Sequence, residues 1–173
     1  YADVASYAAA KARIFERCQV AVVNADDAQV AAMVRPGQRV KSFSLRGAAG
    51  ADYVLCAEGG REWLCADGQK LLAMDELRIV GHHNAANALA ALAMGDALGL
   101  TRARILDALR EFPGLPHRAA WVADVRGVRY VNDSKATNVA AALRALASYP
   151  GTRRHVILGG RGKNESYAPL VDA

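Results

Sequence analysis

The stretch that most restricts the fold is "GVRYVNDSKATN", Gly127 to Asn138. A run that alternates like a strand through Val128 and Tyr130 stops abruptly at Asn132. Asn132, Asp133, Ser134, Lys135, Ala136, Thr137 and Asn138 follow with almost nothing apolar, and "VAAALRALASY" then resumes as an amphipathic helix. A plain strand-to-helix connection needs one turn and one cap. Asp133 can accept hydrogen bonds from sugar hydroxyls, and Lys135 and Thr137 can hold a carboxylate or phosphate. All stand at the carboxyl end of a strand, where α/β folds place their ligands. The plainer alternative is an Asx-turn with Asn138 capping the helix, which accounts for two of these residues but not for all of them.

The rest of the chain reads as a compatible pattern. "VASYAAAKARIFER" predicts a helix over about Val4–Arg17 with Tyr7, Ile14, Phe15 and Cys18 on one face. "QVAVVNADD" is a continuous apolar run closed by polar residues, as in a buried parallel strand. "DAQVAAMV" predicts a short helix stopped by Pro36 and Gly37. "RVKSFSL", "ADYVLCA", "REWLCA" and "ELRIVG" suggest short antiparallel strands, with turn chemistry at Gly59-Gly60 and Asp67-Gly68. "NAANALAALAMGDALGL" is a strong helix stopped at Gly99, and Thr101 can cap a second one, "RARILDALREF". "PGLPHR" then breaks the pattern and suggests a domain boundary near Gly114. Beyond it come a hairpin across Arg126-Gly127, a helix, the apolar run "HVILGG" expected as a strand, and a glycine-rich loop. This is the beginning of a β-α-β pattern.

A length of 173 residues suits one full domain or parts of two. The chain opens at Tyr1 without methionine and halts within "YAPLVDA", which reads as a piece of something longer. No run approaches the roughly 18 apolar residues of a membrane span, and no signal-peptide pattern heads the chain. Lysine and arginine number 22 against 17 acidic residues, a balance of +5, but the cations are scattered without aromatic interleaving. Nucleic-acid binding is therefore the minor reading, and handling of anionic small molecules explains the charge as well. Cys18, Cys56 and Cys65 form no C-x-x-C and are expected as buried thiols in a reducing cytoplasm. The four histidines, His82, His83, His117 and His155, share no ligand spacing with them, which argues against structural zinc.

Four further groups could carry chemistry. His83, Asn84 and Asn87 open a helix, and the two asparagines, three apart, project from one face of its first turn. There they meet free backbone N–H groups and the positive end of the helix dipole, which suits a nucleotide, although capping explains Asn84 equally well. Lys11 falls within an apolar helical stripe: either its ammonium snorkels to water, or its amine is held neutral in a low-dielectric site and reacts with carbon dioxide. Arg118 is either a surface arginine or a phosphate clamp at the boundary. "VILGGRGKN" runs into a glycine-rich loop with Lys163, but it fits neither the P-loop pattern nor G-x-G-x-x-G, since Ile157 and Glu165 stand where glycines belong. A dinucleotide-binding oxidoreductase therefore lacks its fingerprint.

Taken together, "YAAAKARI", "VVNADD", "GHHNAANALAALA", "FPGLPHR", "YVNDSKATN" and "ILGGRGK" occur in an order, and over nearly the whole chain, that resembles the Mur ligase family. "NDSKATN" after "GLPHR" resembles its glutamate-adding branch. Folylpolyglutamate synthetases share the architecture without that full run. The resemblance implies an α/β fold: residues 1–113 as the later part of a central ATP-binding domain, with a parallel sheet, helices and a small antiparallel sheet. Residues 114–173 would begin a Rossmann-like glutamate-binding domain. It implies an ATP-dependent ligase of peptidoglycan synthesis, cytoplasmic and monomeric, with ATP and Mg2+ as cofactors. Its substrates would be UDP-N-acetylmuramoyl-L-alanine and glutamate, the D-enantiomer expected and an L-glutamate variant left open. Lys11 would be the carbamylated lysine that helps hold magnesium. His83, Asn84, Asn87, Arg118 and Asp133 would contact ATP, and Lys135, Thr137 and Lys163 would surround the incoming glutamate. The family's phosphate loop and its other magnesium partners would precede Tyr1, so the isolated piece is expected to be inactive. Arg161 and Gly162 depart from the family, where an aspartate is common at one or the other place. The alternatives are a folylpolyglutamate synthetase-like ligase and a non-catalytic nucleotide-binding α/β domain.

Overall fold

A computed structural model describes residues 1–161 and 165–171. Two compact units divide the chain: residues 1–77 with 84–111, and residues 78–83 with 112–173.

The first unit is built on one five-stranded sheet in the order β1-β2-β3-β4-β5, comprising β1 (Val20–Asn24), β2 (Arg39–Ser44), β3 (Tyr53–Glu58), β4 (Arg61–Ala66) and β5 (Gln69–Ala73). β1 pairs with β2 in parallel through five register pairs, and β2 joins β3 in parallel through only two, Phe43↔Tyr53 and Ser44↔Val54. From β3 onward the sheet is an antiparallel meander. Its turns are the expected ones. Asp67 and Gly68 both take positive φ, 53° and 71°, as a two-residue hairpin turn of right-handed twist demands.

The sheet departs from the sequence reading in two places. "RVKSFSL" is parallel to its neighbours, because the short helix α2 (Ala28–Ala31), capped by the Asp27 carboxylate, carries the chain back to the same end of the sheet. The last strand is "QKLLA" and not "ELRIVG": the tight turn at Asp67-Gly68 lays residues 69–73 on β4 at once, burying Leu72 and Ala73. The chain then leaves the sheet in a 3-10 turn, Met74–Glu76.

Helix α3 (His82–Ala97) buries Ala85, Ala88, Leu89, Leu92 and Ala93, the i, i+3, i+4, i+7 stripe that its sequence encodes. Leu64, Leu72, Leu89 and Leu92 have no exposed surface, and each contributes about 1.5–3 kcal/mol by leaving water. Helix α4 (Arg102–Glu111) adds Ile105 and Leu109. A second, smaller core gathers Phe15, Ala21 and Val23 with Cys18, Val30, Met33 and Val34. The first helix, α1 (Val4–Ala12), tightens into a 3-10 turn over Arg13–Phe15. That change of period rotates Ile14 out of the predicted stripe, leaving it 74% exposed while Phe15 is buried.

A polar network fastens α3 to the sheet. Asp96 accepts from the Tyr53 hydroxyl at 2.7 Å and from Arg102 Nη2 at 2.6 Å. Arg102 Nη1 also donates to Asp67 at 2.9 Å, and Lys41 Nζ donates to the Tyr53 oxygen at 2.8 Å. Burial by itself would raise the Asp96 carboxyl, but the Arg102 and Tyr53 hydrogen bonds and the charges of Arg102 and Lys41 outweigh it and hold the group below the usual carboxylate range. A carboxylate depressed in the folded state contributes stability above its unfolded pKa and loses it in acid. Asp96→Asn should therefore lower stability by about 2 kcal/mol at neutral pH. The gap between the two proteins should close below about pH 4, as urea titrations at several pH values would measure.

Cys56 and Cys65 correct the expectation of free thiols. The two sulfurs are bonded across β3 and β4, with Cα atoms 6.5 Å apart, and only Cys18 is free.

In the second unit, β6 (Ala120–Val125) and β7 (Val128–Asn132) form the predicted hairpin, with Arg126 and Gly127 at positive φ. Helix α5 (Val139–Ala147) follows, and a short α6 (Ala168–Val171) ends the described chain. Residues 155–160, expected as a strand, pair with no other described strand and are exposed to solvent, with Ile157 99% exposed. An apolar run becomes a strand only when a neighbour completes its hydrogen-bond ladder, and the hairpin does not reach it.

Candidate functional site

The polar stretch after β7 is organised by its own side chains. Asn132 Oδ1 accepts from the Ser134 amide at 3.0 Å, the Asp133 carbonyl accepts from the Ala136 amide at 2.8 Å, and Asn138 caps α5 by accepting from the Ala141 amide at 2.8 Å. The plainer reading thus holds for Asn132 and Asn138. It does not exhaust the stretch.

"LPHR" is tied to it at three points. The Lys135 amide donates to the His117 carbonyl at 3.0 Å, the Ala119 amide donates to Asp133 Oδ1 at 3.0 Å, and the Asn132 carboxamide nitrogen meets His117 Nδ1 at 3.1 Å. Since that nitrogen can only donate, the His117 proton belongs on Nε2. These bonds hold His117 at φ 64° and Ala119 at φ 46°, left-handed conformations that cost residues with a Cβ about 1–3 kcal/mol each. Arg118 lies between these two residues. Two motifs some fifteen positions apart therefore form one loop pair, with Arg118 and Lys135 both exposed and neither paired with a carboxylate among the described residues. Asp133 keeps Oδ2 without a donor among the described residues. Thr137 is exposed just before the cap. A carboxylate oxygen, two unpaired cations and a hydroxyl at the end of a strand can bind a polyhydroxylated or anionic ligand.

His83 belongs to the same unit. Its ring is half-buried with Nδ1 3.4 Å from Ser148 Oγ. Burial lowers its pKa, Asp133 raises it in part and Arg144 lowers it, so the imidazole is held neutral near physiological pH. Gly81 makes this approach feasible. Its φ is +96°, and a Cβ built there would lie 2.3 Å from Ser148 Oγ and 3.2 Å from His83 Cε1. Asn84 and Asn87 belong to the first unit, on the opening turns of α3, where Asn87 Nδ2 donates to Asn84 Oδ1 at 3.2 Å. Their carboxamides do share one helix face, as the three-residue spacing predicts.

Lys11 is exposed on α1, its ammonium 5.3 Å from the centroid of the Tyr7 ring. It lines a cleft of about 570 Å³ with Tyr7, Phe15, Asp27, Val30 and Met33. This is the snorkelling geometry, with an apolar stem and a solvated head. Lys163 and Gly162 lie outside the described residues; Arg161 is exposed. Among the described residues, no group of three histidine, cysteine or acidic side chains could hold a metal ion. Lys11 as a carbamate would supply a single carboxylate-like group, so these residues do not make a magnesium site by themselves.

Sequence reasoning missed His117 and Ser148 as supports, and with His117 the second contact of Asn132. A left-handed alanine or histidine leaves no trace in the sequence.

Comparison with known proteins agrees with these motifs. A family model described as "Mur ligase middle domain" matches residues 1–95. A protein of Methylococcus capsulatus named UDP-N-acetylmuramoylalanine–D-glutamate ligase is 52% identical over 171 residues, which cover 99% of this chain and 37% of that protein. Proteins of the same name from Nitrosococcus oceani and from Escherichia coli are 44% and 48% identical, covering 98% and 95% of this chain and 38% and 37% of theirs. The chain thus spans well under half the length of the curated relatives it matches. Among solved structures, a UDP-N-acetylmuramoyl-L-alanyl-D-glutamate–2,6-diaminopimelate ligase superposes with a TM-score of 0.63 at 27% identity, over 86% of this chain and 32% of that one. A UDP-N-acetylmuramate–alanine ligase from Thermotoga maritima gives 0.65 at 23% identity, over 85% and 34%, and shares the fold.

Proposed function

The chain belongs to the Mur ligase family, and on that premise we propose that it is part of the cytoplasmic, ATP-dependent ligase that joins glutamate to UDP-N-acetylmuramoyl-L-alanine in peptidoglycan synthesis. Residues 1–113 are the later part of its central domain, and residues 114–173 open its glutamate-binding domain. The observation that carries the reading is the 52% identity, across 99% of the chain, to a relative named for that reaction. The lock between "LPHR" and "NDSK" supports it, because it sets a carboxylate and two free cations where nucleotide and amino acid would be held.

In this reading ATP transfers its γ-phosphoryl group to the carboxylate of the nucleotide-linked alanine, giving an acyl phosphate and ADP. The glutamate amine attacks that carbonyl, an amide forms, and phosphate leaves with the C–O bond to carbon broken. Such a transfer needs cationic clamps more than a protein nucleophile. Asn84 and Asn87 present carboxamides to the adenine, and neutral His83 immediately precedes them in sequence. Arg118 clamps phosphate, and Asp133 Oδ2 accepts from the ribose. Lys135, Thr137 and Lys163 receive the glutamate. Magnesium, when bound, would neutralise charge on the phosphates; the group of this chain assigned to it is the Lys11 carbamate. The enzyme acts as a monomer.

The test uses the full-length protein with UDP-N-acetylmuramoyl-L-alanine, ATP and Mg2+, offered D- or L-glutamate separately. Phosphate release and product mass should appear with D-glutamate, and turnover of neither enantiomer would refute the assignment. The 173-residue chain alone should release no phosphate.

A further inference from the structure

One face of the antiparallel meander carries a group of residues that the proposed reaction does not use. Cys56 on β3 and Cys65 on β4 lie diagonally across the pair: Cys56 is opposite Trp63, and Cys65 is opposite Val54. Lys70 stands opposite Cys65 on the next strand, with its ammonium 5.7 Å from the Trp63 ring centroid and in contact with Glu58. Arg61 covers the same ring at 4.6 Å.

Two properties suit this pair to change state without rebuilding the sheet. Six register pairs hold β3 to β4 independently of the sulfurs, so opening the bond leaves the strands paired and requires only that the two sulfurs move apart. The dithiol form also has an acceptor waiting: the Trp63 carbonyl oxygen lies 3.7 Å from Cys56 Sγ and 3.6 Å from Cys65 Sγ. Access is unequal. Cys56 is half-buried, whereas Cys65 is only 5% exposed.

We propose that Cys56 and Cys65 form a reversible dithiol–disulfide site, closed by low-molecular-weight disulfides and opened by low-molecular-weight thiols in the folded chain. In closing, the Cys56 thiolate attacks a sulfur of the small disulfide and expels one small thiolate, leaving a mixed disulfide. The Cys65 thiolate then attacks Cys56 Sγ and expels the second. Two protein thiols lose two electrons, the small disulfide gains them, and the two protons pass to the released thiolates. A bond of this kind in a protein of a reducing compartment acts as a sensor more than a permanent staple.

The experiment equilibrates the 173-residue chain in glutathione buffers from fully reduced to fully oxidised, quenches with iodoacetamide and records intact mass. The expected result is a change from three alkylated cysteines to one, Cys18, reversed by returning the sample to reduced glutathione without denaturant. Carried out in a Trp121→Phe background, Trp63 emission should fall in step with that change. The closed form should melt about 5 °C above the open one, since the bond closes a short loop. In Cys56→Ser, Cys65 should take up glutathione slowly and form no intramolecular disulfide. Three alkylated cysteines at every poise, emission that does not follow the mass, or a bond that opens only after denaturation would each overturn the proposal.

Discussion

Gly81→Ala should cost the second unit roughly 3 kcal/mol or more. Two independent penalties add at this position. The residue must hold φ +96°, where a Cβ is strained, and that Cβ would lie 2.3 Å from Ser148 Oγ and 2.9 Å from Ser148 Cβ. Gly127→Ala separates the two, because Gly127 has φ +78° with nothing within 4 Å of where the added methyl would stand, and it should cost only about 1 kcal/mol. Pairing Gly81→Ala with Ser148→Gly should recover the steric part alone. Denaturant unfolding followed by Trp121 emission measures all three variants, and equal losses at Gly81 and Gly127 would remove the packing argument.

The second large effect concerns Asp133. In the full-length ligase, Asp133→Ala should reduce kcat/KM for ATP by about 100-fold. It leaves the Ala119 amide without its acceptor, frees the loop that holds Arg118, and removes the oxygen assigned to the ribose. Asp133→Asn retains Oδ1 and should keep Ala119 at its left-handed φ while losing the charge. If the loop is the larger contribution, Asn recovers most of the loss; if the ribose contact is, Asn remains nearly as impaired as Ala. Steady-state kinetics with varied ATP distinguishes them, and an unchanged KM for ATP in both variants would contradict the nucleotide role.

Much of the architecture is legible in the sequence because period and turn chemistry are written locally. The stripe of α3, the apolar strand β1 and the hairpins at Asp67-Gly68 and Arg126-Gly127 follow from residues adjacent in sequence. The parallel course of β2 is legible in principle, since the sequence places a helix between it and β1 and a helical crossover returns a strand in parallel. What escapes depends on distant partners. "QKLLA" has too few apolar residues to announce a strand until β4 covers it, and "HVILGG" announces one that finds no partner among the described residues. In the site, the candidates stand out by chemical type, but their supports do not. His117, Ala119 and Ser148 act through backbone angle and proximity, and neither is encoded in the identity of an alanine or a serine. Lys11 reads as a buried amine only if its stripe continues; the 3-10 turn at Arg13–Phe15 ends the stripe and leaves the lysine in water.

The joint between β2 and β3, with its two register pairs, separates two halves of the sheet that assemble by different routes. The β3–β4–β5 half is stitched by two-residue turns, so its contacts close over a few positions and form on the microsecond scale of hairpins. The β1–β2 half has to wait for a crossover to bring remote segments side by side. The narrow joint thus divides contacts that are local in sequence, the kind expected to form first, from those that must wait for chain closure.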